Sequence, residues 1–263
     1  MDQSNFSRVR EEFERYIADL VASCRARPAI VGLVLMGSTA DRERVDEWSD
    51  HDFAVIAEGD AVEALRNDLS WLPRADRIVA VAREHHDGFK AICASGAAIE
   101  FAVTDLAGLS TFYANSWEIA YGTGALATVM GIVSEKPLPN AENTAQRDMT
   151  VLLAALLIGV GRDRRGERLS ASGSVRGLAL DHLLLLLARA LTPDSDSRLD
   201  TLDQRRRFES VHPLLGSQLV NALASPVEEC AKELLTIAER ELAQWDDYPT
   251  AAVTAVRSRL GWV

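Results

Sequence analysis

The sequence predicts an α+β protein, with a mixed sheet flanked by helices in its first half and a bundle of helices in its second. Short apolar runs separated by polar turns fill the first half and are typical of strands. From residue 148 onward, apolar residues instead recur at steps of three and four, as in packed helices. The proline-containing stretch KPLPNAENT lies between the halves and predicts a linker. We therefore expect one domain over residues 1–136 and a second over residues 145–263.

The elements of the first half follow from periodicity and turn residues. Residues 6–21 predict an amphipathic helix that ends before Pro28. Asp60 is expected to cap a helix that stops at Pro73, and Asp105 is expected to cap another. Five short apolar runs predict strands, the last two of them forming a hairpin: residues 30–36, 53–57, 77–83, 89–94 and 98–103.

The second half carries four long segments with helical periodicity, which predict four or five helices. They are residues 149–160, 175–191, 202–223, with a break near His212 and Pro213, and 227–245. The leucine-rich stretch 178–191 is apolar nearly all round, which favours burial in the domain core or at a subunit contact in a homodimer. Residues 192–200 are polar and predict a loop between helices.

Composition excludes several classes of protein. The 263 residues are 48% hydrophobic and 25% charged, as in ordinary globular domains. A net charge of −11 argues against non-specific nucleic-acid binding and weakly favours a cationic small substrate. Three scattered cysteines without zinc spacing predict neither a metal centre nor a disulfide framework. With no signal peptide, and an apolar run too short to span a bilayer, we expect a soluble, cytoplasmic protein without a membrane partner.

The candidate site begins at a Gly-Ser turn after the first strand. Gly37 allows the backbone to approach a phosphate closely, and Ser38 adds a hydroxyl group. Asp50 and Asp52 follow at the start of the next strand, where residues i and i+2 share a face and lie about 6–7 Å apart. Two carboxylates this close need a cation, and oxygen ligands beside such a turn suit Mg²⁺ carrying a nucleotide. The alternative is an ordinary turn followed by a strand-start cap.

A third acid is expected from a neighbouring strand. Glu100 lies among small residues in AAIEFAV, on the face opposite Ile99 and Phe101. It could take the proton of an acceptor hydroxyl as general base or complete the metal shell. The alternative is a solvent-facing glutamate on an edge strand. His51 is expected to point to the face opposite the two aspartates and to be an ordinary packed or exposed residue.

This pattern resembles the DNA polymerase beta-like nucleotidyltransferase superfamily, and within it most of all the lincosamide and aminoglycoside antibiotic nucleotidyltransferases. By this resemblance, Gly37 and Ser38 match the triphosphate-binding turn, Asp50 and Asp52 the metal ligands, and Glu100 the third carboxylate. The likeness covers residues 30–105 well and the helical half more loosely. It implies a catalytic first domain and a helical second domain that contributes to acceptor binding.

The resemblance implies transfer of AMP from ATP to a hydroxyl of a small cationic acceptor, with two Mg²⁺ ions at the attacking and leaving oxygens. Arg42 and Arg44 would then neutralise the leaving phosphates. The rival interpretation is a regulatory, antitoxin-like module whose helical domain resembles a ribonuclease through Arg176 and His182. An incidental arginine and histidine on an amphipathic helix is the plainer alternative for that pair.

Overall fold

The computed structural model describes residues 3–85, 87–138, 142–194 and 199–262, with side chains from residue 7 onward. It divides into two compact units, Met1–Pro137 and Leu138–Val263. The first contains a six-stranded mixed sheet and the second contains helices. The predicted α+β class is therefore confirmed.

The first unit is built on a sheet with the strand order β3-β4-β5-β2-β1-β6. The central neighbours β2 and β5 run parallel, and the other described pairs are antiparallel. The strands are β1 (Ile30–Met36), β2 (His51–Ala57), β3 (Ile78–Arg83), β4 (Gly88–Cys93), β5 (Ala98–Thr104) and β6 (Trp117–Tyr121). The helices are α1 (Gln3–Arg25), α2 (Gly37–Ala40), α3 (Ala61–Asn67), α4 (Leu106–Leu109) and α5 (Gly124–Glu135).

Each face of this sheet is covered by its own apolar layer. One face packs against α1, through side chains that include Phe13, Leu35 and Phe53. The other face packs against α4 and α5, through Val34 and Met130 among others. Because side chains alternate along a strand, every residue of β1, β2 and β5 is assigned to one of these two faces.

Several boundaries differ from those predicted. Strand β2 begins two residues earlier, so that the second aspartate of the pair lies inside the strand. Helix α3 ends at Asn67, and the Asp60 side chain makes no capping hydrogen bond. A short 3₁₀ turn with Asp68 as its cap follows instead. Asp105 does cap α4, accepting a hydrogen bond from the Gly108 amide at 2.7 Å. Strand β6 was not predicted, although in its sequence, WEIAY, large apolar residues alternate with Glu118 and Ala120.

The second unit packs its helices around one apolar core. Its described helices are α6 (Ala145–Arg164), α7 (Arg168–Ser172), α8 (Leu180–Ala190), α9 (Phe208–Val211), α10 (Pro213–Ala224), α11 (Val227–Leu242) and α12 (Thr250–Leu260). A π-helical stretch, Gly173–Ala179, joins α7 to α8. The sequence did not predict α7 or α12, so the described residues of this unit contain seven helices where four or five were expected. Part of the predicted loop 192–200 lies outside the described residues.

The leucine-rich helix α8 lies in the core of its unit. Leu183, Leu186 and Leu187 are fully buried. The continuous helical segment Arg168–Ala190 is long and apolar enough to cross a membrane by length and composition, as judged over the described residues. The leucines of α8 pack against the other helices of the unit, whereas Leu169 and Leu178 of this segment are exposed.

His51 illustrates how alternation divides the two faces of β2. Its ring stacks on Phe13 at 4.0 Å between centroids, and its Nε2 lies 3.3 Å from the carbonyl oxygen of Phe13. The prediction that this histidine faces away from the aspartates is confirmed. The pKa of His51 is lowered to about 4, mainly by burial and also by the positive charges of Arg42 and Arg74, while the hydrogen bond to the Phe13 carbonyl opposes the shift.

The depressed pKa of His51 makes stability depend on pH. An unfolded chain protonates this histidine near pH 6.5, whereas the folded protein excludes the proton down to about pH 4. We therefore expect the free energy of unfolding to fall as pH drops from about 7 to 5, with about 1–2 kcal/mol of the fall due to His51. Urea titrations at both pH values should show a smaller fall for His51→Gln than for wild type. Equal falls would contradict the assignment.

Candidate functional site

Two acidic side chains lie side by side at the centre of the sheet. Asp52 of β2 and Glu100 of β5 are direct partners in the parallel ladder, so they project from the same face. Asp50 lies just before β2, two residues upstream of Asp52. Strand β5 is paired on both sides, with β4 and with β2. Glu100 is therefore not on an edge strand, contrary to the alternative considered from sequence. The three predicted acids thus belong to one region of the sheet.

The Gly-Ser turn touches this acidic region directly. Gly37 has a φ of +55°, a left-handed conformation that favours glycine. A Cβ atom placed on it would lie 3.3 Å from the Oδ2 atom of Asp52, so the backbone approaches the carboxylate closely. The Gly37 amide donates a hydrogen bond to the carbonyl of Ser116 at 3.1 Å. Ser38 follows in the single turn of α2 and is partly buried.

Thr39 joins the turn to β2, a role that sequence analysis missed. Its side chain is fully buried. Its Oγ1 atom accepts a hydrogen bond from the Asp52 amide at 2.8 Å and donates one to the Asp50 carbonyl at 3.4 Å. One hydroxyl group therefore fixes the backbone of both aspartates relative to α2. The available sequence signal was a threonine two residues after the glycine.

Lys90 of β4 is a second residue that sequence analysis missed. It is the ladder partner of Glu100, and its Nζ atom lies 2.9 Å from the Oε1 atom of that glutamate. The hydrogen bond to Glu100 raises the pKa of the lysine, and the negative charges of Glu84 and Asp50 raise it further. A cation from the chain itself thus lies beside the acidic residues.

The acidic face borders a pocket of about 420 Å³ within the first unit. Asp52, Glu84 and Glu100 supply its carboxylates. Phe112 and Tyr113, in the segment before β6, provide aromatic walls. An acidic pocket with aromatic sides is suited to an organic cation, because carboxylates and ring faces both attract positive charge.

The two predicted phosphate-binding arginines lie in the 3₁₀ turn Arg42–Arg44. Arg42 forms ion pairs with Glu14 at 2.9 Å and Glu118 at 3.4 Å. Glu118 is the ladder partner of Leu35, on the face covered by α1, so the structure does not bring Arg42 together with Asp52 and Glu100. The Nη1 atom of Arg42 is buried and has no hydrogen-bond partner among the described residues.

Arg44, unlike Arg42, contacts a residue next to the Gly-Ser turn. It pairs with Asp41 at 3.7 Å, directly after α2. Phosphate binding by either arginine stays a prediction.

The donor set of the acidic face fits a divalent metal in its chemistry. Carboxylate oxygens from Asp50, Asp52 and Glu100 are the ligands that Mg²⁺ prefers. Across the described ranges, however, no three histidine, cysteine, aspartate or glutamate side chains already converge as a metal-binding group. Glu100 is held by Lys90 instead. Binding a metal with all three acids therefore requires Glu100 to turn away from the lysine.

The helical unit contains a separate polar cluster around Asp148 of α6. Asp148 is fully buried, and its two oxygens contact His182 Nδ1 at 2.9 Å and Arg189 at 2.6 Å. His182 is thus bound to an aspartate, whereas Arg176 binds the Ser172 hydroxyl at 3.0 Å and the Ser225 carbonyl at 2.5 Å. The contacts of Arg176 and His182 are to different partners within the bundle, as expected of residues that hold helices together.

Comparisons with known proteins found similarity to a solved structure but no sequence match. No protein-family model matches the sequence, and no curated protein matches it. Among solved structures, an aminoglycoside 6-adenyltransferase from Bacillus subtilis is similar over 93% of this chain and 90% of its own, with 10% identity and a TM-score of 0.30. At that TM-score and identity, the likeness establishes neither a shared fold nor a shared activity.

Loss of the Thr39 hydroxyl should destabilise the turn. Thr39→Val leaves the partly buried Asp52 amide without its acceptor, at an expected cost of about 1–2 kcal/mol in the free energy of unfolding. Urea denaturation measures this cost. Thr128→Val, which removes an exposed hydroxyl on α5, is the control and should change stability by less than about 0.5 kcal/mol. Equal stability of the two variants would contradict the role given to Thr39.

The Asp148 cluster should likewise be structural. Asp148→Asn removes the charge that pairs with Arg189 and His182. We expect a loss of about 2–3 kcal/mol, below the cost at a fully buried pair because the Arg189 side chain is 32% exposed. Asp246→Asn, at an exposed position, is the control. An unchanged unfolding midpoint in Asp148→Asn would exclude this role.

Proposed function

We propose that the protein is a metal-dependent nucleotidyltransferase that moves a nucleoside monophosphate, AMP from ATP, to a hydroxyl group of a small cationic acceptor. One observation carries the proposal: Asp52 and Glu100 are in register on one face of the sheet, with the left-handed Gly37 turn against Asp52. Paired carboxylates beside a turn that a phosphate can approach are the parts that phosphoryl transfer requires.

The metal and the triphosphate would be bound by the residues of this acidic face and its turn. Asp50, Asp52 and Glu100 would bind Mg²⁺. Gly37 and Ser38 would form the triphosphate-binding turn, Gly37 by letting the backbone approach a phosphate closely and Ser38 through its hydroxyl group. Bound Mg²⁺ supplies charge neutralisation to the attacking and leaving oxygens of the phosphoryl group. Within this proposal Arg42 and Arg44 neutralise the departing pyrophosphate, which for Arg42 means leaving its partners on the α1 face.

The proposed reaction is an in-line displacement at the α-phosphorus of ATP. The acceptor oxygen forms a bond to phosphorus while the bond to the β-phosphate oxygen breaks, and pyrophosphate leaves. Glu100 is the proposed general base for the acceptor hydroxyl proton, or else a metal ligand. In either role its carboxylate must first be released from Lys90. Thr39 holds the aspartate backbone in place during this exchange.

The acceptor is proposed to be a small hydroxyl compound with positive charge, such as a lincosamide or aminoglycoside antibiotic. The pocket beside the acidic face offers carboxylates and aromatic walls, which favour a cation. The net charge of −11 also favours a cationic ligand. We assign the helical unit, residues 145–263, a share in acceptor binding on the resemblance described above. The three free cysteines favour a reducing compartment, the cytoplasm.

A mass-shift screen tests the proposed activity. The purified protein is incubated with Mg²⁺, each of the four ribonucleoside triphosphates and a panel of aminoglycosides and lincosamides. The proposal expects one acceptor to gain the mass of a nucleoside monophosphate, in step with pyrophosphate release. Omission of Mg²⁺ should abolish both signals. Pyrophosphate release without any acceptor adduct would contradict the proposed transfer.

Two substitutions separate the roles of the acids. Asp52→Asn should abolish transfer, because it removes one proposed metal ligand. Glu100→Gln should lower turnover by about 100-fold or more with little change in triphosphate binding if Glu100 is the base. Loss of both turnover and binding would make it a metal ligand.

Asp76→Asn is the control, since Asp76 lies in the short turn before β3, pairs with Arg77 at 3.7 Å and is 81% exposed. It should retain wild-type turnover. Full activity of Asp52→Asn with Mg²⁺ and ATP would refute the assignment.

A further inference from the structure

Three neighbouring strands place a lysine, a glutamate and an aspartate in one row. Lys90 of β4 is the ladder partner of Glu100, and Glu100 is the ladder partner of Asp52 on β2. Directly paired residues project from the same face of a sheet. The row therefore runs from positive to negative charge across the strands, at right angles to them.

Within the described ranges, the ion pairs of Lys90 are to acids of this region. Its Nζ atom lies 2.9 Å from Glu100 and 3.9 Å from Glu84. The Lys90 side chain is 54% exposed and the Glu100 side chain 43% exposed, so the pair can open without disturbing the core. A flexible four-carbon stem lets the ammonium group move away into solvent when another cation arrives.

A metal and the ammonium group cannot share Glu100 at low cost. A divalent ion bound by Glu100 and Asp52 would lie within a few ångströms of Nζ, and like charges at that distance repel. In the absence of metal, the ammonium group stabilises the pair of acids instead. Glu100 and Asp52 would repel each other, and the ammonium group offsets part of that repulsion.

We propose that Lys90 is a built-in counter-cation of the acidic face, which holds Glu100 when no metal is bound and competes with the divalent cation for it. The inference rests on the metal site of the proposed function. Lys90 is a positioning residue in this scheme, because it acts through Glu100 and needs no contact with the reacting atoms. Its effect is to offset part of the negative charge of the site and to weaken metal binding by the empty protein.

The test measures divalent-metal binding directly, without nucleotide or acceptor. Mn²⁺ is titrated into wild type, Lys90→Met and Lys90→Arg, and free Mn²⁺ is followed by electron paramagnetic resonance. Lys90→Met should bind Mn²⁺ about 1.5- to 5-fold more tightly, the range expected from removing a half-exposed ion pair. Lys90→Arg keeps the charge and should bind like wild type.

Arg77→Met is the matched control. It makes the same change in net charge on the adjacent strand end, where Arg77 is 70% exposed and contacts Asp76 at 3.7 Å. It should leave Mn²⁺ affinity unchanged within about 1.5-fold. Arg77 lies five residues before Ala82, the ladder partner of Lys90, and solvent and salt screen an exposed charge that far from the acids. If Arg77→Met bound Mn²⁺ as tightly as Lys90→Met does, the effect would be one of net charge alone, and the proposal would be overturned.

A second readout follows the empty protein. Thermal denaturation with a chelator should show a lower midpoint for Lys90→Met than for wild type, and Mn²⁺ should raise the midpoint of Lys90→Met more. Unchanged or weaker Mn²⁺ binding by Lys90→Met, with measurable binding by wild type, would overturn the role of Lys90 alone. Absence of Mn²⁺ binding in every variant would overturn the metal site of the proposed function as well.

Discussion

Repulsion between carboxylates on one face of the sheet is the constraint on which the site depends. Parallel pairing of β2 with β5 places Asp52 beside Glu100, and Asp50 enters the same region two residues earlier. Burying or crowding like charges costs free energy unless a cation offsets them. Lys90 offsets part of that cost now, and a divalent metal with a nucleotide would offset more of it. The site is thus arranged to need positive charge.

The surrounding fold holds these acids where they would otherwise separate. Apolar layers on both faces of the sheet fix β1, β2 and β5, and the buried hydroxyl of Thr39 fixes the loop before β2. Gly37 adopts a left-handed backbone conformation where the turn approaches Asp52. The helical unit has a core of its own and its own buried charge cluster, centred on Asp148.

Local signals in the sequence predicted much of this arrangement. Apolar runs gave β1 to β5 to within two residues, and alternation placed Glu100 opposite Phe101 and His51 opposite Asp52. The role of Lys90 could not be predicted, since it depends on which strand lies beside β5 in the sheet. The partners of Arg42 likewise come from α1 and β6, far along the chain. Strand order and register are set by packing of the whole unit, which local patterns do not encode.

A divalent cation at the acidic face is the central claim, and anomalous X-ray scattering tests it most directly. Crystals grown with Mn²⁺ and a non-hydrolysable ATP analogue would be measured on both sides of the manganese absorption edge. The account predicts an anomalous peak bounded by the carboxylates of Asp50, Asp52 and Glu100, with Lys90 turned away from Glu100. A bound analogue with no peak at these residues, and with the Lys90–Glu100 contact intact, would contradict it.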